Sequence, residues 1–145
     1  MPTTWGARPL AAAETDTARY REWYGVDGIF FDEAAGEDAA LGYYRSLADY
    51  ARAGGARIVA LNPGVVPARG YFDVADVVVT FEGPFAEYDE RVEPDWHERI
   101  APERIAHLVY AAPAHVRRPS GRVYVTSGTL PHPWGTVAPT AETCA

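Results

Sequence analysis

The sequence predicts an α/β fold with a parallel sheet, on three observations. Short apolar runs alternate with segments of helix length, which is typical of strands joined by helical crossovers. The apolar runs are nearly continuous, as expected of strands that are covered on both faces. Most of them end in a polar residue, and polar side chains gather where the loops of a parallel sheet converge. Periodicity alone leaves a closed barrel and an open doubly wound sheet as alternatives.

The first half of the chain contains two predicted helices, each followed by a strand. The first helix extends over residues 9–24, and its apolar stripe consists of Leu10, Ala13, Tyr20 and Trp23 or Tyr24. A strand over 26–31 follows. The second helix extends over 37–53, ends at Gly54-Gly55, and has one apolar face consisting of Leu41, Tyr44, Leu47 and Ala51. A strand over 57–61 and a turn over 62–64 complete this half.

The second half of the chain contains three predicted strands and less helix. A β-branched run predicts a strand over 76–83, and a polar and aromatic loop over 84–94 follows it. A weak helical pattern over 96–104 precedes a strand over 107–110, and a short segment near 114–118 precedes the last strand over 122–126. We predict that residues 1–126 belong to one domain and that residues 127–145 form an irregular tail, since this stretch is rich in Pro, Thr and Gly.

Composition and motifs exclude several classes of function. The formal net charge of −7 argues against a nucleic-acid partner and is compatible with neutral or cationic substrates. The single cysteine, Cys144, excludes an intrachain disulfide, and the four histidines have no metal-ligand spacing. Because the chain also lacks nucleotide-binding and serine-hydrolase motifs and long apolar runs, we predict no cofactor, no metal and no membrane partner.

Two predicted strands end in carboxylates, with one strand between them. Asp32 and Glu33 follow the first strand, and Glu82 lies near the end of the third. Alternation along the first strand places Asp32 on the face opposite to Glu33, and along the third it places Glu82 with Thr80 and Val78. We therefore predict that Asp32 is the partner of Glu82. A carboxylate pair is what glycoside cleavage requires, since one acid is protonated and the other ionised.

Simpler explanations exist for the same residues. Asp32 or Glu33 is also suited to capping the helix that follows. Asn62 is suited to the turn that contains it as well as to a ligand contact. The aromatic residues after Glu82, which include Tyr88 and Trp96, are suited to stacking on sugar rings or to a core under a long loop.

Four short segments at and near the predicted strand ends resemble the spherulation-specific family 4 proteins. The resemblance rests on D-G-I-F-F-D-E over 27–33, L-N-P-G over 61–64, T-F-E-G over 80–83 and A-H-L-V-Y over 106–110. It covers roughly residues 3 to 126. It implies a (β/α)8 TIM-barrel-like fold that is N-terminally truncated, with about five of eight strands present. On this reading the chain starts in the loop after the third barrel strand and is the C-terminal portion of a single barrel domain.

The resemblance also implies an activity. Characterised fungal members are similar to endo-acting α-1,4-N-acetylgalactosaminidases, which are secreted and degrade galactosamine-containing exopolysaccharide. The implied acids are Asp32, Glu33 and Glu82, and we predict as substrate-binding residues Asn62, Tyr88, Trp96, Tyr110 and Thr126. The competing hypotheses are a non-catalytic carbohydrate-binding barrel remnant and a small open α/β domain for another ligand. No signal peptide is predicted in the chain as given.

Overall fold

Five parallel strands form a single sheet, and their spatial order is the same as their order along the chain. The computed structural model describes residues 1–113 and 122–135. The strands are β1 (Gly28–Phe31), β2 (Ile58–Leu61), β3 (Val77–Pro84), β4 (Ile105–Tyr110) and β5 (Arg122–Val125). The helices are α1 (Leu10–Tyr24), α2 (Leu41–Ala53) and the one-turn α3 (Phe85–Tyr88), with short 3₁₀ turns at Asp38–Ala40, Arg69–Asp73, His97–Arg99 and Pro102–Arg104.

This strand order decides between the two α/β alternatives. In a doubly wound sheet the order reverses at a switch point, whereas every pairing here joins neighbours in sequence. That winding is the winding of a (β/α) barrel. Within the described residues β1 and β5 are the two outer strands of the order. The sheet is therefore an open segment with barrel-type winding.

The predicted strands all occur, with bounds that differ from the predicted ones by no more than two residues. The predicted loop over 84–94 begins with α3. The weak helical pattern over 96–104 forms two separate 3₁₀ turns, since Pro102 has no backbone N–H with which to continue a helix. The segment near 114–118 and residues 136–145 of the predicted tail lie outside the described residues.

One face of the sheet, which we term the covered face, is buried in the hydrophobic core. It carries Phe31, Val59, Leu61 and Val78, none of them measurably exposed. The apolar face of α2 belongs to the same cluster through Tyr44, Leu47, Ala48 and Ala51. The predicted buried face of α2 is thus confirmed for Tyr44, Leu47 and Ala51, while Leu41 is only partly buried. Burial of this apolar surface stabilises the fold by about 25 cal/mol per Å².

The predicted apolar stripe of α1 is wrong in its second half. The buried residues of α1 are Ala13 and Thr17, one turn apart. Tyr20, Trp23 and Tyr24 are exposed, Trp23 to 64%. The physical reason is that small side chains form the contact of α1 with α2, and the larger rings lie outside this narrow stripe.

The first residues of the chain pair with the end of β1. Pro2 and Asp32 form a parallel bridge, in which the Asp32 N–H donates to the Met1 carbonyl (2.8 Å) and the Thr3 N–H donates to the Asp32 carbonyl (2.8 Å). Apart from this single bridge, residues 1–9 are turns and irregular backbone, as expected of a loop, and the bridge ties them to the end of β1. The Thr3 hydroxyl also lies 3.0 Å from the Tyr44 hydroxyl, which ties this segment to α2.

Candidate active site

Three polar residues lie together at the carboxyl ends of β1, β2 and β3. Asp32 directly follows β1, Asn62 directly follows β2, and Glu82 is part of β3. Phe31 and Leu61 are register partners, so Asp32 and Asn62 are adjacent on the face opposite to the covered face. We term this opposite face the site face. Parallel strand ends are where active sites of barrel folds form, because loops from several strands converge there.

Asn62 connects the two predicted carboxylates. Its Nδ2 donates to Oδ1 of Asp32 (2.8 Å) and to Oε2 of Glu82 (2.6 Å). A side-chain amide has two N–H groups, so both bonds are available at once. Asn62 is only 5% exposed, and its Oδ1 has no hydrogen-bond partner among the described residues. The structure therefore brings Asp32, Asn62 and Glu82 into one hydrogen-bonded cluster.

A β-bulge in β3 turns Glu82 toward Asp32. Val78 pairs with Leu61 and so lies on the covered face, whereas Glu82 contacts Asn62 on the site face. Strict alternation from Val78 would place Glu82 on the covered face as well. The register shifts between Val79 and Phe81, and this irregularity reverses the alternation. The prediction that Glu82 shares a face with Thr80 and Val78 is therefore wrong, and Glu82 reaches the site face, where both it and Asp32 contact Asn62.

Gly64 supports the position of Glu82 from the neighbouring loop. Its carbonyl accepts the Glu82 N–H (2.9 Å), and its φ of +70° is a conformation that glycine adopts without strain. A Cβ on Gly64 would lie 3.4 Å from the Glu82 Cβ, so the loop backbone packs directly against Glu82. The predicted turn over 62–64 thus has two roles, since it bends the chain and places both Asn62 and Glu82.

Glu33 contributes its backbone to the cluster. Its N–H donates to Oδ1 of Asp32 (3.0 Å), and its carbonyl accepts from the Thr3 hydroxyl (2.9 Å) and the Trp5 N–H (2.7 Å). Its φ is +50°, a left-handed conformation that costs a non-glycine residue about 1–3 kcal/mol. This conformation lets the Glu33 amide hold Asp32. No hydrogen bond in the described part of the chain joins the Glu33 side chain to Glu82.

The structure places Tyr88 in a buried hydrogen-bonded chain. Its hydroxyl lies 2.7 Å from Nδ1 of His107, whose Nε2 lies 3.1 Å from the Thr80 hydroxyl. Burial raises the pKa of Tyr88 and lowers the pKa of His107 to about 4, so both side chains are neutral near pH 7. Phe81 packs edge-on against Tyr88.

Trp96 likewise has core contacts, packing edge-on against Phe72. No described hydrogen bond or ring contact joins Tyr88 or Trp96 to Asp32, Asn62 or Glu82. In the described part of the chain these two predicted substrate-binding residues therefore have packing contacts away from the cluster, and their substrate contact stays a prediction.

The remaining predicted residues lie near the ends of β4 and β5. Thr126 is 1% exposed, and its Oγ1 accepts the Gly128 N–H (3.0 Å), so it anchors the loop after β5. Tyr110 packs edge-on against Trp134, with ring centroids 5.9 Å apart. Trp134 in turn donates from Nε1 to Oε1 of Glu82 (3.2 Å). Sequence analysis missed Trp134 because it lies in the predicted irregular tail, where a single tryptophan was the sole signal.

The surroundings of the cluster are open and acidic. A cavity of about 480 Å³ lies beside Glu82, and its charged lining residues are Glu87, Glu90, Arg91 and Glu93. Across residues 1–113 and 122–135, His, Cys, Asp and Glu side chains form no group that could hold a metal ion. Over the same residues, the helices are too short or too polar to cross a membrane.

Comparisons with known proteins relate the chain to the spherulins and to one solved structure. The family model described as spherulation-specific family 4 matches residues 1–143. Spherulin-4 of Physarum polycephalum is 32% identical over 82 residues, which are 55% of this chain and 25% of that protein. The crystal structure of Aspergillus clavatus Sph3 in complex with GalNAc is similar with a TM-score of 0.73 and 24% identity, over 88% of this chain and 62% of that one.

The chain thus spans less than two thirds of each of these relatives. The likeness to Sph3 confirms the fold, an α/β sheet similar to that of a barrel protein. The family match extends over almost every residue, including the three strand ends that hold Asp32, Asn62 and Glu82. This chain belongs to spherulation-specific family 4.

Proposed function

We propose that the protein is a glycoside hydrolase that cleaves α-1,4-linked galactosamine or N-acetylgalactosamine exopolysaccharide within the chain, with Asp32 and Glu82 as the reacting carboxylates. The observation that carries this proposal is the shared contact of both carboxylates with Nδ2 of Asn62. Two acids at one strand-end cluster meet the requirement for glycoside cleavage. The GalNAc bound in the structure of Sph3 supports an amino sugar as the ligand class.

The distances favour retention of configuration. One oxygen of each carboxylate lies within 2.8 Å of the same nitrogen, so these oxygens are no farther apart than the sum of the two distances. Carboxyl groups about 5–5.5 Å apart are typical of retaining enzymes, and inverting enzymes need about 6.5–9.5 Å. In the retaining reaction one carboxylate attacks the anomeric carbon while the other protonates the leaving oxygen. Water then hydrolyses the glycosyl-enzyme and restores both acids.

The first experiment is hydrolysis of an α-1,4-linked N-acetylgalactosamine polymer by the full-length natural protein, followed by mass spectrometry of the products. Asp32→Asn and Glu82→Gln should each lower kcat by about 10²–10⁴-fold with the fold unchanged. Asp49→Asn and Glu22→Gln, exposed and away from the cluster, are the matched controls. Glu33→Gln tests the alternative acid. Cleavage that survives both Asp32→Asn and Glu82→Gln would contradict the proposed carboxylate pair.

The stereochemistry of cleavage and the roles of the two acids can be measured with the same enzyme and polymer. Proton NMR of the first product should show the α-anomer before mutarotation if the configuration is retained. Azide added to Asp32→Ala or Glu82→Ala should restore turnover, and the anomer of the glycosyl azide distinguishes the nucleophile from the acid. A β-configured first product of the unmodified enzyme would contradict retention.

A second candidate function is carbohydrate binding without cleavage. It is favoured by the partly exposed indole of Trp134 beside Glu82, since an aromatic face binds a sugar ring without a catalytic acid. A binding module would hold the polymer with measurable affinity, and the polymer would keep its length through prolonged incubation. Calorimetric titration beside the hydrolysis assay separates the two functions.

A further inference from the structure

The loop after β5 returns to the sheet and brings Trp134 to Glu82. Thr126 accepts the Gly128 N–H, and the Gly128 carbonyl accepts the Ala111 N–H (2.8 Å). A Cβ on Gly128 would overlap the Pro133 carbonyl oxygen, so the two halves of the loop are in close contact. These contacts tie the loop to the ends of both β4 and β5. The position of Trp134 is therefore determined by backbone packing as well as by its own side chain.

The indole of Trp134 completes the hydrogen bonds of Glu82. Its Nε1 donates to Oε1 (3.2 Å), while Asn62 donates to Oε2 (2.6 Å). The two oxygens of this carboxylate thus accept N–H groups from different segments, the end of β2 and the loop after β5. A carboxylate held at both oxygens has less rotational freedom, and a reacting group benefits from such positioning.

Two tyrosines hold the indole in place. The rings of Tyr110 and Tyr124 lie edge-on to it, with centroids 5.9 and 6.0 Å away. Glu82 and Tyr124 are both in register with Leu108, so they occupy one row of the site face. Trp134 is nevertheless 39% exposed, which leaves part of its ring available to a ligand. A fixed, partly exposed aromatic ring binds at low entropic cost, because little motion is lost on contact.

We propose that Trp134, supported by Tyr110 and Tyr124, forms a subsite for the pyranose ring next to the bond that is cleaved, and that its indole N–H is a positioning group for Glu82. The ligand is a sugar unit of an amino-sugar polysaccharide, with its apolar face on the indole. This inference rests on the proposed function and extends it to a residue beyond the carboxylate pair. The ring and the N–H act separately, so substitutions can separate them.

The kinetic test compares Trp134→Phe with Trp134→Ala in the full-length natural protein. Phenylalanine keeps an aromatic face and lacks the N–H, so kcat should fall about tenfold while KM stays within about twofold. Alanine removes both, so KM should also rise about tenfold. Trp23→Phe and Trp23→Ala, on the exposed surface of α1, are the matched controls. Wild-type kcat and KM in a folded Trp134→Ala protein would overturn the inference.

A binding test separates this inference from the proposed function. Asp32 has no described contact with Trp134, so the Asp32→Asn protein binds sugar at an unaltered Trp134 and does not turn it over. Calorimetric titration with N-acetylgalactosamine oligosaccharides should show about tenfold weaker binding when Trp134→Ala is added. Equal affinity would overturn the subsite and leave the carboxylate proposal intact. Failure of the Asp32→Asn protein to bind any amino-sugar oligosaccharide would also overturn the subsite, whereas the hydrolysis assay decides the carboxylate proposal independently.

Discussion

A single nitrogen, Nδ2 of Asn62, lies within hydrogen-bonding distance of both Asp32 and Glu82. An uncharged amide donates to both carboxyl groups without adding charge of its own. Bonds from an N–H to an ionised group contribute about 1.5–3 kcal/mol each, more than neutral pairs do. Asn62 is therefore the residue whose replacement should affect the geometry of both carboxylates at once.

We expect Asn62→Asp to lower kcat at least about 100-fold. The new carboxylate replaces two donors by an acceptor and puts three acids together, which should also lower the free energy of unfolding by about 1–3 kcal/mol. Both are measured with the polymer assay and with urea unfolding. Ser46→Asp adds the same charge on the exposed side of α2 and serves as the control. Unchanged turnover in Asn62→Asp would show that the amide bridge is not needed.

The buried chain Tyr88–His107–Thr80 makes stability depend on pH. Burial lowers the pKa of His107 from 6.5 to about 4. Between these values the unfolded chain binds a proton that the folded chain does not. The contribution of His107 is therefore fully present above pH 6.5 and is lost as pH falls toward 4, by at most about 1.4 kcal/mol per pH unit.

We expect His107→Gln to flatten the dependence of unfolding free energy on pH in this interval. Glutamine has a donor and an acceptor for Tyr88 and Thr80 and does not titrate. Urea unfolding at several pH values from 6.5 down to 4 measures the slope for both proteins. His132→Gln, at an exposed histidine, serves as the matched control. Identical slopes in His107→Gln and wild type would contradict a neutral, buried His107.

At the scale of elements, the bulge in β3 decides which side chains reach the site face. Val78 pairs with Leu61 before the bulge, and Glu82 pairs with Leu108 after it. The extra residue is what places the Glu82 carboxylate on the same face as Asp32. Bulges commonly reorient side chains next to active sites.

Deleting Thr80 should therefore abolish cleavage. The shortened strand either pairs without a bulge, which turns Glu82 to the covered face, or shifts its register against β4. Loss of the His107 contact adds a destabilisation of about 1–3 kcal/mol. Circular dichroism measures the loss of stability, and the polymer assay measures the loss of cleavage. A Thr80 deletion that still cleaves the polymer would refute the role of the bulge.

At the scale of the whole molecule, negative charge affects which substrates are attracted to the site. The chain has a formal net charge of −7, and three glutamates line the cavity beside Glu82. A field of this sign attracts cationic substrates and leaves neutral ones unaffected. The two forms of the proposed polymer differ in charge, since the deacetylated amino sugar is cationic and the N-acetylated one is neutral.

We expect salt to weaken binding of the deacetylated polymer only. Raising ionic strength from about 0.01 to about 0.1 M shortens the Debye length from about 30 to about 10 Å. The affinity for a partly deacetylated polymer should fall about tenfold over this range, whereas the affinity for the N-acetylated polymer should change little. Titration of the Asp32→Asn protein with each polymer measures this. Equal salt dependence for both polymers would contradict electrostatic attraction.

The α/β class, the five strands and the family could all be predicted from the sequence. Each of these depends on local information, namely apolar runs, turn residues and short motifs. The sequence also identified Asp32, Asn62 and Glu82 as strand-end residues, and the tertiary structure brought them together. Trp23 and Tyr24 of α1 were wrongly predicted to lie on its apolar stripe and are exposed. A helical stripe shows which residues share a face and does not show how much of that face a neighbouring element covers.

The strand order, the bulge and the contact of Trp134 with Glu82 could not be predicted from the sequence and are seen in the fold. All three depend on pairing between residues far apart in the chain. A register shift of one residue reverses a strand's faces without any local sequence signal, and a loop residue meets its partner only after the sheet has formed. Local pattern therefore predicts which residues end each strand, and packing determines which of them meet.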